Sequence, residues 1–125
     1  MAEVQTVSPE IELLQRVYAA FNRRDFESVL AEMQDSVDWP NGWEGGRVVG
    51  KAAVRDYWKR QFEVLDAIVE PRKFIRESDG RIATDVHQVV HDKSEKLVVD
   101  QMVQHVYRIR HGLIQSMEIR EAVED

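Results

Sequence analysis

Asp85, His87, Gln101 and His105 can move protons or hold polar ligand atoms, and all four sit in two segments with strand character, roughly 81–91 and 96–110. A turn at 92–95 that pairs His91 with Leu97 sets Val89 against Val99, His87 against Gln101, Asp85 against Val103 and Ala83 against His105. Alternation with period two then gives the four polar groups one face. Asp85 and His105 become diagonal neighbours, ~7–8 Å apart at Cα. A polar group without a partner on a core-facing surface costs ~1–3 kcal/mol, so the cluster reads as the wall of a cavity. The chemistry such a wall supports is general acid–base. His105, with an ordinary pKa near ~6.5, is the expected proton-transfer group. Asp85 orients it or acts as a base whose pKa the apolar surroundings raise. The plainer alternatives are a core histidine bonded to a neighbour, and a salt bridge from Asp85 to Arg81, Arg108 or Arg120.

Several further side chains are expected around that pocket. His87 and Gln101 would hold polar ligand atoms, and Tyr107 shares their face. His87 and His91 on one strand are also of a type to bind a metal with a carboxylate, but no metal is expected here. Trp39, Trp43 and Trp58 offer flat apolar area near a loop and a helix, with Trp58 expected in the core. Tyr18 is placed to donate into the cavity or to pack as a core residue. Glu118 falls opposite His105 if a two-residue turn at His111-Gly112 pairs Ile109 with Ile114. That register leaves the apolar Met117 and Ile119 on the other phase, so either the other face is covered or a β-bulge shifts the strand. Asp38 should point outward if Val37 and Trp39 point in.

The elements that must position these groups follow from periodicity and punctuation. Ser8-Pro9 opens a helix with Ile11, Leu14, Tyr18 and Phe21 along one stripe, ending near Asn22–Arg24. Asp25 caps a second, short helix carrying Phe26, Val29, Leu30 and Met33. Residues 36–39 read as a short strand, and a loop from Pro40 to Gly50 leads to a third helix at about 51–63. Segment 67–77 alternates but holds Pro71, which confines it to an edge or marks a bulge. Asp79-Gly80 is a hairpin turn, and strands 81–91, 96–110 and 113–121 complete an antiparallel meander. The class is α+β, with helices on one face of a curved sheet. The second face, with Ile82, Thr84, Val86, Gln88 and Val90 on the first of these strands and Val98, Asp100, Met102, Gln104, Val106 and Arg108 on the next, is too apolar for free solvent yet too polar for a closed core and suggests a homodimer surface.

Length and composition narrow the function classes. The chain has 125 residues, one domain over 1–125, and no cysteine, which excludes disulfides and thiolate chemistry. A net charge of −6 with scattered Lys and Arg argues against nucleic acid. No apolar run reaches the roughly 20 residues of a membrane helix, and the first ten residues show no signal pattern, so a cytoplasmic protein is expected.

The stretches AAFNRRDFESVLAEM, DSVDWPNGWEGGRVVGKAAVRDYW and HVYRIRHGLIQSMEI, in that order, resemble the nuclear transport factor 2-like superfamily and its SnoaL-like proteins. The resemblance covers most of the chain and implies a cystatin-like, cone-shaped α+β barrel, with three N-terminal helices packed in the concave face of a curved antiparallel sheet. It implies a pocket for a small, mostly apolar molecule, often a dimer through the outer sheet face, and no metal or cofactor. Relatives include polyketide cyclases, ketosteroid isomerases, dehydratases and epoxide hydrolases. The steroid isomerase set is not kept: Val17 stands at its tyrosine, His105 at its oxyanion-hole acid and Trp39 at its base. Two function classes stay open, a cofactor-free acid–base enzyme using His105 with Asp85, and a non-catalytic ligand-binding or dimerisation module.

Overall fold

A computed structural model describes residues 8–122; residues 1–7, read above for a signal pattern, and 123–125 lie outside that range. Helix α1 (Pro9–Asn22) starts where Ser8 Oγ accepts the Ile11 N–H at 3.2 Å, with Pro9 in the first turn. It ends at Asn22, with Arg23 as its C-cap, and Arg24 just beyond has a left-handed φ of 67°. Helix α2 (Phe26–Leu30) is capped by Asp25, which accepts the Ser28 N–H. Helix α3 (Lys51–Val64) follows Gly50, whose φ of 95° favours glycine.

The strands are β1 (Met33–Pro40), β2 (Arg47–Val49), β3 (Leu65–Arg76), β4 (Ile82–Asp92), β5 (Leu97–Arg110) and β6 (Leu113–Glu121). They form one sheet in the order β2-β1-β6-β5-β4-β3. All neighbours are antiparallel except β1 and β6, which run parallel. Strand β2 lies within the segment expected to be loop. Strand β3 is an edge, and its register shifts between Pro71 and Lys73, so the proline has both of its permitted settings. The exposed side of that edge is partly satisfied by the end of α1 and the turn after it: Asn22 bonds both the N–H and the C=O of Val69, and Arg24 donates to the Ala67 carbonyl at 2.7 Å.

Two further register shifts decide which side chains face the helices. His91 pairs with Leu97 as expected, but Val90 pairs with Val99, so Val98 is an extra residue on β5. From there the rungs are Val90–Val99, Gln88–Gln101, Val86–Val103, Thr84–His105 and Ile82–Tyr107. On the far side of β5, Ile109 pairs with Ile114 but Arg108 pairs with Ser116, making Gln115 the extra residue on β6. Met117 then lies opposite Tyr107 and Ile119 opposite His105. The β-bulge alternative for the last strand is the one found.

The core lies between the inner sheet face and the helices. It gathers Leu14, Val17 and Tyr18 of α1, Val54, Tyr57 and Trp58 of α3, and Val37, Trp39, Ile82, Val86, Tyr107, Ile114 and Met117 of the sheet. No helix among the described residues is long and apolar enough to cross a membrane. The β4–β5 turn holds Glu95 at φ 66°, a left-handed conformation without glycine. Replacing Glu95 by glycine relieves that cost, and urea unfolding should show a gain of about 0.5–1 kcal/mol. A variant no more stable than the parent would contradict the strain.

Candidate functional site

The inner sheet face, α1 and α3 enclose a cavity of about 370 Å³. Its deep end is aromatic. Trp39 and Trp58 meet edge to face at 5.8 Å, and Tyr107 and Phe21 pack beside them. Its mouth carries Trp43, 46% exposed, on the loop between β1 and β2. That loop is tied down from α3. Arg60 grips Glu44 through two bonds of 2.9 and 3.0 Å. Arg60, with help from Asn41, holds the Glu44 carboxyl at about 2.

One hydrogen-bond chain crosses the buried floor. Tyr107 donates to the Tyr18 oxygen at 2.8 Å, and Tyr18 lies 2.8 Å from His105 Nδ1. With Tyr18 already accepting from Tyr107, its own proton goes to Nδ1, and a neutral ring then carries its hydrogen on Nε2. Nε2 makes no hydrogen bond among the described residues, where the ring bonds only through Nδ1. Burial lowers the His105 pKa to about 4, so the ring is neutral at pH 7. Burial also raises both tyrosines, Tyr18 well above its ordinary value. Thr84, opposite His105, is fully buried; it opposes the Tyr18 rise slightly, yet its Oγ1 forms no bond of good geometry.

None of the described residues lining the cavity carries a formal charge. His105, Tyr18, Tyr107, Gln101, Trp39, Trp43 and Trp58 all line it. Asp85, His87 and Glu118 do not, and the face predicted for them is corrected here. The Val98 bulge turns Asp85 outward, where Gln104 donates to it at 3.0 Å; among the described residues it makes no salt bridge to Arg81, Arg108 or Arg120. His87 also lies outside, between Asp100 at 2.7 Å and Arg72 at 3.3 Å. The Gln115 bulge turns Glu118 outward to Arg81 at 3.0 Å. A His105–Asp85 dyad is therefore impossible in this register. Asp38 points outward as expected and pairs with Arg47. Among the described residues no three His, Asp or Glu side chains converge as a metal site.

Sequence reasoning missed Tyr57, Gln61 and Gln88. Tyr57 and Gln61 lie one turn apart on α3, a spacing that reports a shared face. Gln88 sits in phase with Ile82, Val86 and Val90, and that apolar set was the available signal.

Residues 14–117 match the SnoaL-like domain family. The chain belongs to that family. No curated protein sequence matches it significantly. TerC, co-crystallised with polyporic acid, is 28% identical with a TM-score of 0.80, and 92% of each chain is covered. A nuclear transport factor 2-like protein of unknown function from Burkholderia pseudomallei is 22% identical, with a TM-score of 0.81 over 93% of this chain and 92% of that one. A Mycobacterium tuberculosis protein in complex with estradiol-17β-hemisuccinate is 22% identical, with a TM-score of 0.76 over 89% and 92%. The last two share the nuclear transport factor 2-like fold.

The SnoaL-like cavity makes stability depend on pH through His105. Its folded pKa, about 4, lies below the ordinary 6.5. The folded state thus binds fewer protons between those values, and its stability falls as pH drops through that window. The full difference is roughly 3 kcal/mol. His105→Gln, which still accepts from Tyr18, should remove this component when urea unfolding at pH 7 and 4.5 is compared with the parent. Asp85→Asn should leave the His105 NMR titration unmoved, and a shift there would show that the two groups share a face after all.

Proposed function

We propose that this SnoaL-like domain binds a small, uncharged, mostly apolar molecule in its cavity, with His105 as the polar anchor. The observation that carries this reading is a cavity of about 370 Å³ with no charged side chain among its described lining residues and one ring nitrogen with no partner among the described residues. A ligand cavity of a few hundred Å³ lined by aromatics, with few polar groups, suits that role. The 28%-identical TerC, co-crystallised with polyporic acid, supports a small-molecule ligand for this chain as well.

A catalytic role would use the same nitrogen. A neutral His105 donating from Nε2 can polarise a carbonyl or stabilise a developing oxyanion, as an isomerase, cyclase or dehydratase requires. A base with a pKa of about 4 is weak, and no acid on its own face raises it. His105 is thus better suited to hydrogen-bond donation than to proton abstraction.

Trp39, Trp43 and Trp58 line the cavity, so ligand entry reads out as fluorescence. Titration with biphenyl should quench the tryptophans to saturation. Val103→Phe, which fills the cavity from the middle rung, should weaken that binding about tenfold or more. Absence of saturable quenching would defeat the reading.

The outer face supports homodimerisation. Ile68, 43% exposed, and Met102, 45% exposed, lie on it beside Val89. Sedimentation should give a dimer, and Met102→Glu should shift it to monomer; a parent that sediments as a monomer at high concentration would refute this.

A further inference from the structure

The inner wall of β4 and β5 alternates in polarity rung by rung. Thr84–His105 is polar, Val86–Val103 apolar, Gln88–Gln101 polar and Val90–Val99 apolar. Valine rungs flank the glutamine rung on both sides, so it interrupts an apolar wall. Gln88 and Gln101 both line the cavity. Gln101 donates to Gln88 Oε1 at 3.1 Å, which fixes both amides against the sheet. The Gln88 amide N–H groups and the Gln101 carbonyl oxygen then have no partner among the described residues. The pair therefore still offers both a donor and an acceptor. Four residues along β5 separate Gln101 from His105, about 13 Å of strand.

We infer that the glutamine rung is a second ligand-binding point, and that the ligand is an uncharged, rod-shaped molecule with a hydroxyl or carbonyl oxygen at each end. One oxygen meets His105 Nε2–H and the other meets the Gln88–Gln101 pair. The apolar middle lies against Val103. A carboxylate or ammonium at either end finds no countercharge among the described lining residues. This inference rests on the proposed ligand pocket.

The experiment compares 4-phenylphenol with 4,4′-dihydroxybiphenyl, whose two hydroxyls lie at opposite ends of a rod, by tryptophan quenching. One added hydrogen bond of ordinary strength predicts about fivefold tighter binding of the diol. In the Gln88→Leu/Gln101→Leu protein that ratio should fall to about one. Gln101→Leu alone, at an exposed position, gives the same comparison if the double variant folds poorly. The anion 4′-hydroxybiphenyl-4-carboxylate should bind more weakly than the diol at pH 8. A diol advantage that survives the leucine variants, equal affinities in the parent, or tighter binding of the anion would overturn the second binding point while leaving the pocket intact. No quenching by either biphenyl probe would overturn the pocket reading and this inference together.

Discussion

Val98 is one residue more than its strand needs, and the face of every side chain on β4 relative to β5 depends on it. A one-residue slip in a ladder turns a whole strand over. Here the slip is confined to the end of the hairpin, between the His91–Leu97 and Val90–Val99 pairs. Beyond it Ile82, Val86 and Val90 join Val99, Val103 and Tyr107 on the inner wall. Without it, Asp85 and His87 would face an uncharged cavity and three large apolar residues would face out. Burying two ionisable groups there costs ~1–3 kcal/mol each even if they stay neutral. The apolar pattern of β4 therefore selects the bulge.

Two of the other irregularities act on the neighbouring ladders. Gln115 swings Met117 and Ile119 onto the inner face, and Arg72 is the extra residue just after Pro71 on the edge strand. A bulge bends its strand and increases local twist. Three of them across adjacent ladders curve the sheet enough for α1 and α3 to sit inside it. The curvature that makes the cavity and the phase that decides its lining thus have one origin.

This explains which parts of the molecule could be read in advance. The caps at Ser8 and Asp25, the edge at Pro71, the inward Trp39 and the His91–Leu97 pair follow from local chemistry, and all were legible. The phase of β5 was legible too, because Gln101, His105 and Tyr107 alternate along one strand. The phase of β4 relative to it was not, since a bulge at Val98 has no signature in a run of valines. Choosing the phase that clustered polar groups put Asp85 and His87 inside; choosing the one that clustered Ile82, Val86 and Val90 would have found Gln88. The bond between Tyr18 and His105 joins residues 87 apart in the chain and depends on how α1 lies in the sheet, which no local pattern reports.

The group found at His105 Nδ1 decides what this histidine can do. A carboxylate there would favour the imidazolium and make the ring a useful base near neutral pH. Tyr18 occupies that position instead, and burial pushes its own ionisation well above the ordinary range. A neutral phenol offers Nδ1 a hydrogen bond and no charge, so nothing offsets the desolvation of a protonated ring. Burial then carries the His105 pKa down to about 4. The ring is left as a fixed, neutral dipole whose remaining hydrogen sits on Nε2. Tyr107 reinforces that direction by donating into Tyr18, because reversing the chain would leave the Tyr107 proton without its partner. The chemistry open to the site follows from that polarity. It presents a hydrogen to a ligand oxygen and has no charge to offer an ion.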